Sequence, residues 1–309
     1  MTRTLVVVGH GMVGHRLVQA VRDRDLDRAW HVEVLAEEPR PAYDRVALSS
    51  YVDTWDPANL ALPEVDDVNL SLGDPAVSID RAARVVVTES GRRINYDALV
   101  LATGSYPFVP PIPGRDLPGC FVYRTIDDLD LIRQAVHKGG KGRRAGMVLG
   151  GGLLGLEAAN ALRGMGISPH VVEMAPRLMP IQVDEGGAGL LKNLVQKLDL
   201  TVHTGTSASV IERDGDRLIA RLTNGVELDL DVVVFSAGIR PRDDLARQMG
   251  LEVGARGGVV VDSSCGTSDD DIYAIGECAC IDGTVYGLVA PGYAMAEVVA
   301  DRLLGGTAT

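Results

Sequence analysis

Leu5-Val6-Val7-Val8 is an unbroken apolar run, the pattern of a strand buried on both faces of a parallel sheet. The segment Gly9-His10-Gly11-Met12-Val13-Gly14 separates it from a predicted helix over about 13–22. Val32-Glu33-Val34-Leu35-Ala36 predicts a second strand, ending at Glu37. Strands are also predicted at Val85-Val86-Val87 and, after a turn around Glu89-Ser90-Gly91, along Tyr96 to Leu101, which runs into Ala102-Thr103-Gly104. The same order then returns. Met147-Val148-Leu149 leads into Gly150-Gly151-Gly152-Leu153-Leu154-Gly155, a helix is predicted over about 154–165, and the strand His170-Val171-Val172 ends at Glu173. A hairpin around Asp214-Gly215 and a turn at Asn224-Gly225 precede Asp231 to Phe235, which ends in Ser236-Ala237-Gly238. The glycine segments are offset by 141 positions and the two glycine endings, Gly104 and Gly238, by 134, which points to an internal duplication.

Tyr106-Pro107-Phe108-Val109-Pro110-Pro111-Ile112-Pro113-Gly114 is the expected linker between the two units. After Gly238 come predicted strands over 258–262 and 271–277 and a helix over about 291–304. This tail has no third glycine segment, so it is expected to complete one of the earlier units. The pattern predicts an α/β protein of two Rossmann-like dinucleotide-binding domains.

Composition narrows the partners. The 309 residues carry a net charge of −12, which disfavours nucleic acid. The longest uncharged apolar stretch, 145–156, is too short and glycine-rich to span a membrane. The N-terminus enters a strand without a signal-peptide layout, so a cytoplasmic location is expected. Cys120, Cys265, Cys278 and Cys280 contain no Cys-x-x-Cys pair, and no metal ligands are expected. Most are read as reduced core residues; Cys278 and Cys280 would point the same way on a strand.

In a Rossmann turn the first glycine permits the bend, the second admits the pyrophosphate, and the third allows close helix–strand packing. The helix N-terminus supplies N–H groups and partial positive charge. An acid about 20 positions on receives the ribose hydroxyls. Here Glu37 follows Gly14 by 23 positions and Glu173 follows Gly155 by 18. A carboxylate at Glu173 accepts from a ribose 2′-hydroxyl and repels a 2′-phosphate, favouring NADH over NADPH. Arg177 either softens that preference or pairs with Glu173. Glu277, after Gly276 at a strand end, is placed to reach a ribityl hydroxyl, and the helix near Pro291 can aim its N-terminal dipole at a flavin ring. His10 and His15 are read as structural. The run Arg22-Asp23-Arg24-Asp25-Leu26-Asp27-Arg28 is read as a solvated helix end.

Taken together, with the tail Thr267-Ser268 through Asp271-Ile272-Tyr273-Ala274-Ile275-Gly276-Glu277, the chain resembles the two-dinucleotide flavoprotein disulfide reductase superfamily. Within it, four stretches resemble the N-terminal part of assimilatory NADH-dependent nitrite reductase large subunits. They are Ala36 through Tyr51, Ala102 through Pro107, Gly150 through Ala159 and Gly287 through Tyr293. The resemblance implies a glutathione-reductase-like FAD/NAD(P)-binding fold. Residues 1–112 and 239–309 would form the FAD domain, and 113–238 the NAD domain. It implies FAD contacts from Gly9, Gly11, Met12, Val13, Gly14, Glu37, Glu38, Arg45, Ser49, Ser50, Val77, Ala102, Thr103, Gly104, Arg124, Gly276, Glu277, Ala290 and Pro291. NADH contacts would come from Gly150, Gly152, Leu153, Leu154, Gly155, Glu173, Arg177, Ala237 and Gly238. Glu157 would lie where nicotinamide meets flavin, as the candidate catalytic position. In related ferredoxin and rubredoxin reductases a Lys stands where this chain has Ser50 and pairs with the equivalent of Glu157; an unpaired carboxylate there is expected to have a raised pKa.

The expected function is an NADH dehydrogenase (diaphorase) module that passes electrons through FAD to an acceptor protein or a fused downstream redox domain. An iron–sulfur/siroheme centre is the acceptor that the resemblance implies. The chain reaches Thr309 without a cysteine set for such centres, so it is not expected to reduce nitrite by itself. Two alternatives stay open: a stand-alone NADH-dependent ferredoxin/rubredoxin-type reductase, and a non-enzymatic FAD/NAD-binding interaction protein.

Overall fold

The two apolar runs that precede the glycine turns become the central strands of two parallel sheets. The structure is a computed structural model and describes residues 2–138 and 144–309. The chain divides into two units: Met1–Asp44, Ala61–Tyr106 and Ile239–Thr309 form the first, Arg45–Leu60 and Pro107–Gly238 the second. The chain thus crosses between units at Tyr106/Pro107, inside the proline-rich stretch. Segment 45–60 belongs to the second compact unit, although the division by cofactor places it in 1–112.

Among the described residues, the first unit has a five-stranded sheet in the order Ile272–Ala274, Ala98–Leu101, Arg3–Val8, Trp30–Leu35, Val68–Ser71, with every pairing parallel. The second unit repeats it as Cys120–Val122, Val232–Phe235, Ala145–Leu149, Ser168–Glu173, Thr201–Thr204. Val8 stands opposite Leu35 on one side and Leu101 on the other. Leu149 stands opposite Val172 and Phe235. Each glycine turn therefore leaves the carboxyl end of the strand at which the order reverses, the place where open α/β sheets bind ligands. Each unit also carries a three-stranded antiparallel meander: 76–80, 85–88 and 93–95 in the first, 208–214, 217–222 and 227–230 in the second. The Asp214↔Arg217 pairing leaves Gly215-Asp216 as a two-residue loop, with Gly215 at φ +57°.

The duplication breaks at one sheet position. The strand beside Ala98–Leu101 comes from the tail, whereas the strand beside Val232–Phe235 precedes its glycine turn. Helix Val289–Leu303, two residues longer at its start than the expected 291–304, packs on Met12–Arg24. Trp30 Nε1 donates to the Leu303 carbonyl at 3.1 Å. Pro291 falls in the first helical turn, where its missing N–H removes no intrahelical bond.

Two expectations fail. The run Arg22–Arg28 is not wholly solvated, because Arg22 and Asp25 are buried. Asp25 accepts the N–H groups of Ala29 and Trp30, and Arg22 donates to the Trp30 carbonyl at 2.9 Å. The pair thus satisfies the backbone of the loop leaving the helix, which would otherwise be orphaned. Cys278 and Cys280 do not share a strand face, since Cys278 ends the 3-10 turn Gly276–Cys278. Its thiol donates to the Leu101 and Ile275 carbonyls. All four cysteines are free, and Cys265, Cys278 and Cys280 are buried.

Candidate nucleotide-binding sites

The two glycine turns have the same internal geometry. Gly9 and Gly150 lie at φ +107° and +121°, where an L side chain is strained. A Cβ on either would also stand 2.2 Å from the Ala102 carbonyl oxygen or 2.1 Å from that of Ser236. Gly14 and Gly155 are closed off by the first glycine of their own turn: a Cβ would come within 2.2 and 1.9 Å of the Gly9 and Gly150 oxygens. The middle glycines differ. Nothing lies within 4 Å of a Cβ placed on Gly11 or Gly152. Both are N-caps with extended backbone and no side-chain capping bond. A Cβ there would fill only the space in front of the helix N-terminus, through which a pyrophosphate approaches. The turns fit the cofactors that the sequence implies.

Their surroundings differ. In the first unit the tail folds over the helix start. A Cβ on Gly276 would meet Val13 at 3.3 Å, and one on Gly292 would meet Val13 at 2.6 Å and the Gly276 Cα at 3.4 Å. Met12 is only 9% exposed. The structure thereby gathers Gly9–Gly14, Ala102-Thr103-Gly104, Gly276-Glu277 and the helix start at Ala290-Pro291. Ile275 N–H donates to the Leu101 carbonyl, tying the tail to the end of the strand Ala98–Leu101. Ser105, which sequence reasoning missed, donates its hydroxyl to Glu277 at 2.7 Å. In the second unit, among the described residues, Leu153 and Leu154 at the start of the corresponding helix are 43% and 38% exposed.

The acids at the strand ends are also engaged. Glu173 accepts from Gly151 N–H at 2.6 Å and Ala175 N–H at 2.7 Å, which locks its carboxylate against the glycine turn. Arg177 donates to the Pro180 carbonyl at 3.2 Å. Glu37 is ion-paired with Arg242, a residue the sequence did not single out. Glu38 accepts from the Tyr43 hydroxyl. Val77, on the meander, is exposed. Ala237 and Gly238 follow Val232–Phe235 as Thr103 and Gly104 follow Ala98–Leu101.

Arg45, Ser49, Ser50, Arg124 and Glu157 all lie in the second unit. The turn Leu48–Ser50 packs on the helix Leu153–Gly164 that carries Glu157. Ser50 donates to the Ala47 carbonyl, and Arg45 to that of Arg124 at 3.5 Å. Burial raises the pKa of Glu157. Burial and then the Glu157 carboxylate push the Tyr123 phenol up, and its buried hydroxyl has no hydrogen-bond partner among the described residues. Sequence offered no signal for Tyr123.

His10 and His15 face each other with ring centroids 5.8 Å apart. His15 donates from Nε2 to the Pro63 carbonyl at 2.7 Å, a structural role. Burial, then His15, lowers the pKa of His10 from 6.5 to about 4. The unfolded chain therefore takes up this proton first as pH falls. Stability is unaffected above pH 6.5 and declines between 6.5 and 4, by about 3 kcal/mol in full. Urea unfolding at pH 7 and pH 5 is expected to show a loss of about 2 kcal/mol from this group, absent in His10→Asn. Equal pH dependence in the two proteins would contradict a neutral, half-buried His10.

Among the described residues no group of three or more His, Cys, Asp or Glu could hold a metal ion, and no helix is long and apolar enough to cross a membrane. The chain is 50% identical over 306 residues to the nitrite reductase [NAD(P)H] large subunit of Klebsiella oxytoca, covering 97% of this chain and 32% of that protein. It is 46% identical to the nitrite reductase (NADH) large subunit of Escherichia coli K12, with 97% and 36% covered. The chain thus spans about a third of the length of these curated relatives. The crystal structure of a ferredoxin reductase from Rhodopseudomonas palustris superposes with a TM-score of 0.91 at 31% identity, over 100% of this chain and 77% of that one. Residues 3–298 match the pyridine nucleotide-disulphide oxidoreductase family, and the chain belongs to that family of FAD-dependent NAD(P)H oxidoreductases.

Proposed function

We propose that this chain is an NADH-oxidising module that holds FAD with residues 1–112 and 239–309 and receives NADH on residues 113–238. The observation that carries the assignment is the unequal cover of two equal turns. The first, under Gly276 and Gly292, suits a resident cofactor, and the second, with Leu153 and Leu154 exposed, suits one that comes and goes. FAD, when bound, accepts the two electrons of NADH as a hydride and releases them onward. The protein's own residues bind and orient. The two helix N-termini take the pyrophosphates, Glu37 and Glu173 the riboses, and Glu277 the ribityl chain. Glu157, carrying a raised pKa without a lysine at Ser50, presents a less charged surface to the nicotinamide. By analogy with the nitrite reductase large subunits, the electrons leave for an iron–sulfur/siroheme centre or a similar acceptor, fused or docked.

Anaerobic addition of NADH to the FAD-loaded chain is expected to bleach the flavin absorbance; bound FAD that stays oxidised would refute the module. NADPH is expected to bleach it more slowly, because Glu173 repels a 2′-phosphate. Glu173→Ala is expected to lower the NADH:NADPH ratio of kcat/KM about tenfold. A stand-alone reductase for a small redox protein is the second reading, favoured by the 77% coverage of the ferredoxin reductase chain.

A further inference from the structure

Arg242 has four attachments within the first unit, and together they point at the first nucleotide site. Its guanidinium pairs through Nη1 with Oε2 of Glu37, 205 positions away. The same guanidinium lies over the Tyr106 ring, 4.2 Å from the centroid. Its backbone N–H donates to the Gly104 carbonyl at 2.9 Å, and its carbonyl accepts from the Thr103 hydroxyl at 2.6 Å. Tyr106 is itself held by a 3.1 Å hydrogen bond from its hydroxyl to Asp244. Arg242 is thus fixed at backbone, ring plane and tip. Glu37, by contrast, sits just past the strand Trp30–Leu35 with its side chain 58% exposed.

An ion pair this exposed adds little to fold stability. What it does is restrict a flexible carboxylate. One oxygen of Glu37, Oε2, is committed to the guanidinium. We propose that Arg242, stacked on Tyr106, is a positioning residue for Glu37. It holds that carboxylate in the orientation that receives the ribose of the adenosine half of the resident dinucleotide. The inference rests on the proposed placement of FAD in the first unit and extends it to a residue that acts through another. Preorganising the acceptor before binding removes an ordering cost that would otherwise weaken affinity.

The test is titration of the apoprotein, followed by flavin fluorescence, with FAD and with FMN, which lacks the adenosine half. Arg242→Ala is expected to weaken FAD about tenfold and FMN by less than about twofold. The melting temperature of the apoprotein is expected to stay within about 1 °C. In a Glu37→Ala background, Arg242→Ala is expected to have no further effect, since it acts through that carboxylate. Tyr106→Leu, which removes only the stack, is expected to weaken FAD about threefold and serves if Arg242→Ala does not fold. Unchanged or tighter FAD binding, equal losses for FAD and FMN, or additive losses in the double variant would each overturn the proposal. If Glu37→Ala binds FAD as the parent does, the proposal falls while the FAD placement stands. If the parent chain binds no FAD, the placement itself falls.

Discussion

Gly152→Val is expected to abolish reduction by NADH while FAD remains bound, and Gly11→Val is expected to release FAD. Both positions have extended φ that valine adopts, φ −82° and −83°, and neither has an atom within 4 Å of a Cβ. The fold should therefore notice the change only as a poorer N-cap, costing about 1 kcal/mol. On the proposed placement the ligand meets the new side chain directly, in the space through which a pyrophosphate would approach the helix N–H groups. Displacing it by an ångström or more is expected to cost on the order of 100-fold. For Gly152→Val the readout is the NADH dependence of flavin bleaching, with bound flavin counted from the spectrum. For Gly11→Val it is the flavin content after gel filtration. If the two variants lost the same cofactor, the division of labour between the turns would be wrong.

Gly14→Ala and Gly155→Ala are expected to do the opposite, damaging the fold first. Their Cβ atoms would stand 2.2 and 1.9 Å from a backbone oxygen of the first glycine. That oxygen belongs to a turn held by the Gly9 and Gly150 N–H bonds to Leu35 and Val172, each 2.8 Å long. A flexible side-chain tip could yield, but a bonded backbone cannot. In an open helix, alanine is better than glycine by about 1 kcal/mol. The steric term runs against this and is larger, about 3 kcal/mol or more. Urea unfolding followed by circular dichroism should show both variants well below the parent, with Gly11→Ala within about 1 kcal/mol of it. A Gly155→Ala protein as stable as the parent would mean that the helix and strand do not pack as closely as they do here.

These glycines show how far the sequence can be read. The strand–turn–helix segments were legible because their causes are local: an unbroken apolar run, three spaced glycines, an acid at the next strand's end. The expected elements at Leu5–Val8, 13–22, 154–165 and Asp231–Phe235 fall on observed ones within a few residues. The edge strands Val68–Ser71 and Thr201–Thr204 went unseen because they are short and half-exposed, leaving no continuous apolar run. Arg22 and Asp25 misled because a charged run looks solvated until the loop that needs its hydrogen bonds is in place.

By itself, then, the sequence determined that the chain carries two dinucleotide turns on parallel sheets, since each glycine role and each acid lies within about 30 residues of its turn. Contacts between distant segments decided what distinguishes the turns. Gly276 and Gly292 reach Val13 from the far end of the chain and cover the first turn. Segment 45–60 joins the second unit rather than the first. Arg242 meets Glu37 across 205 positions. Such pairings depend on which surfaces remain after each sheet has closed, and no local pattern of hydrophobic and polar residues encodes them.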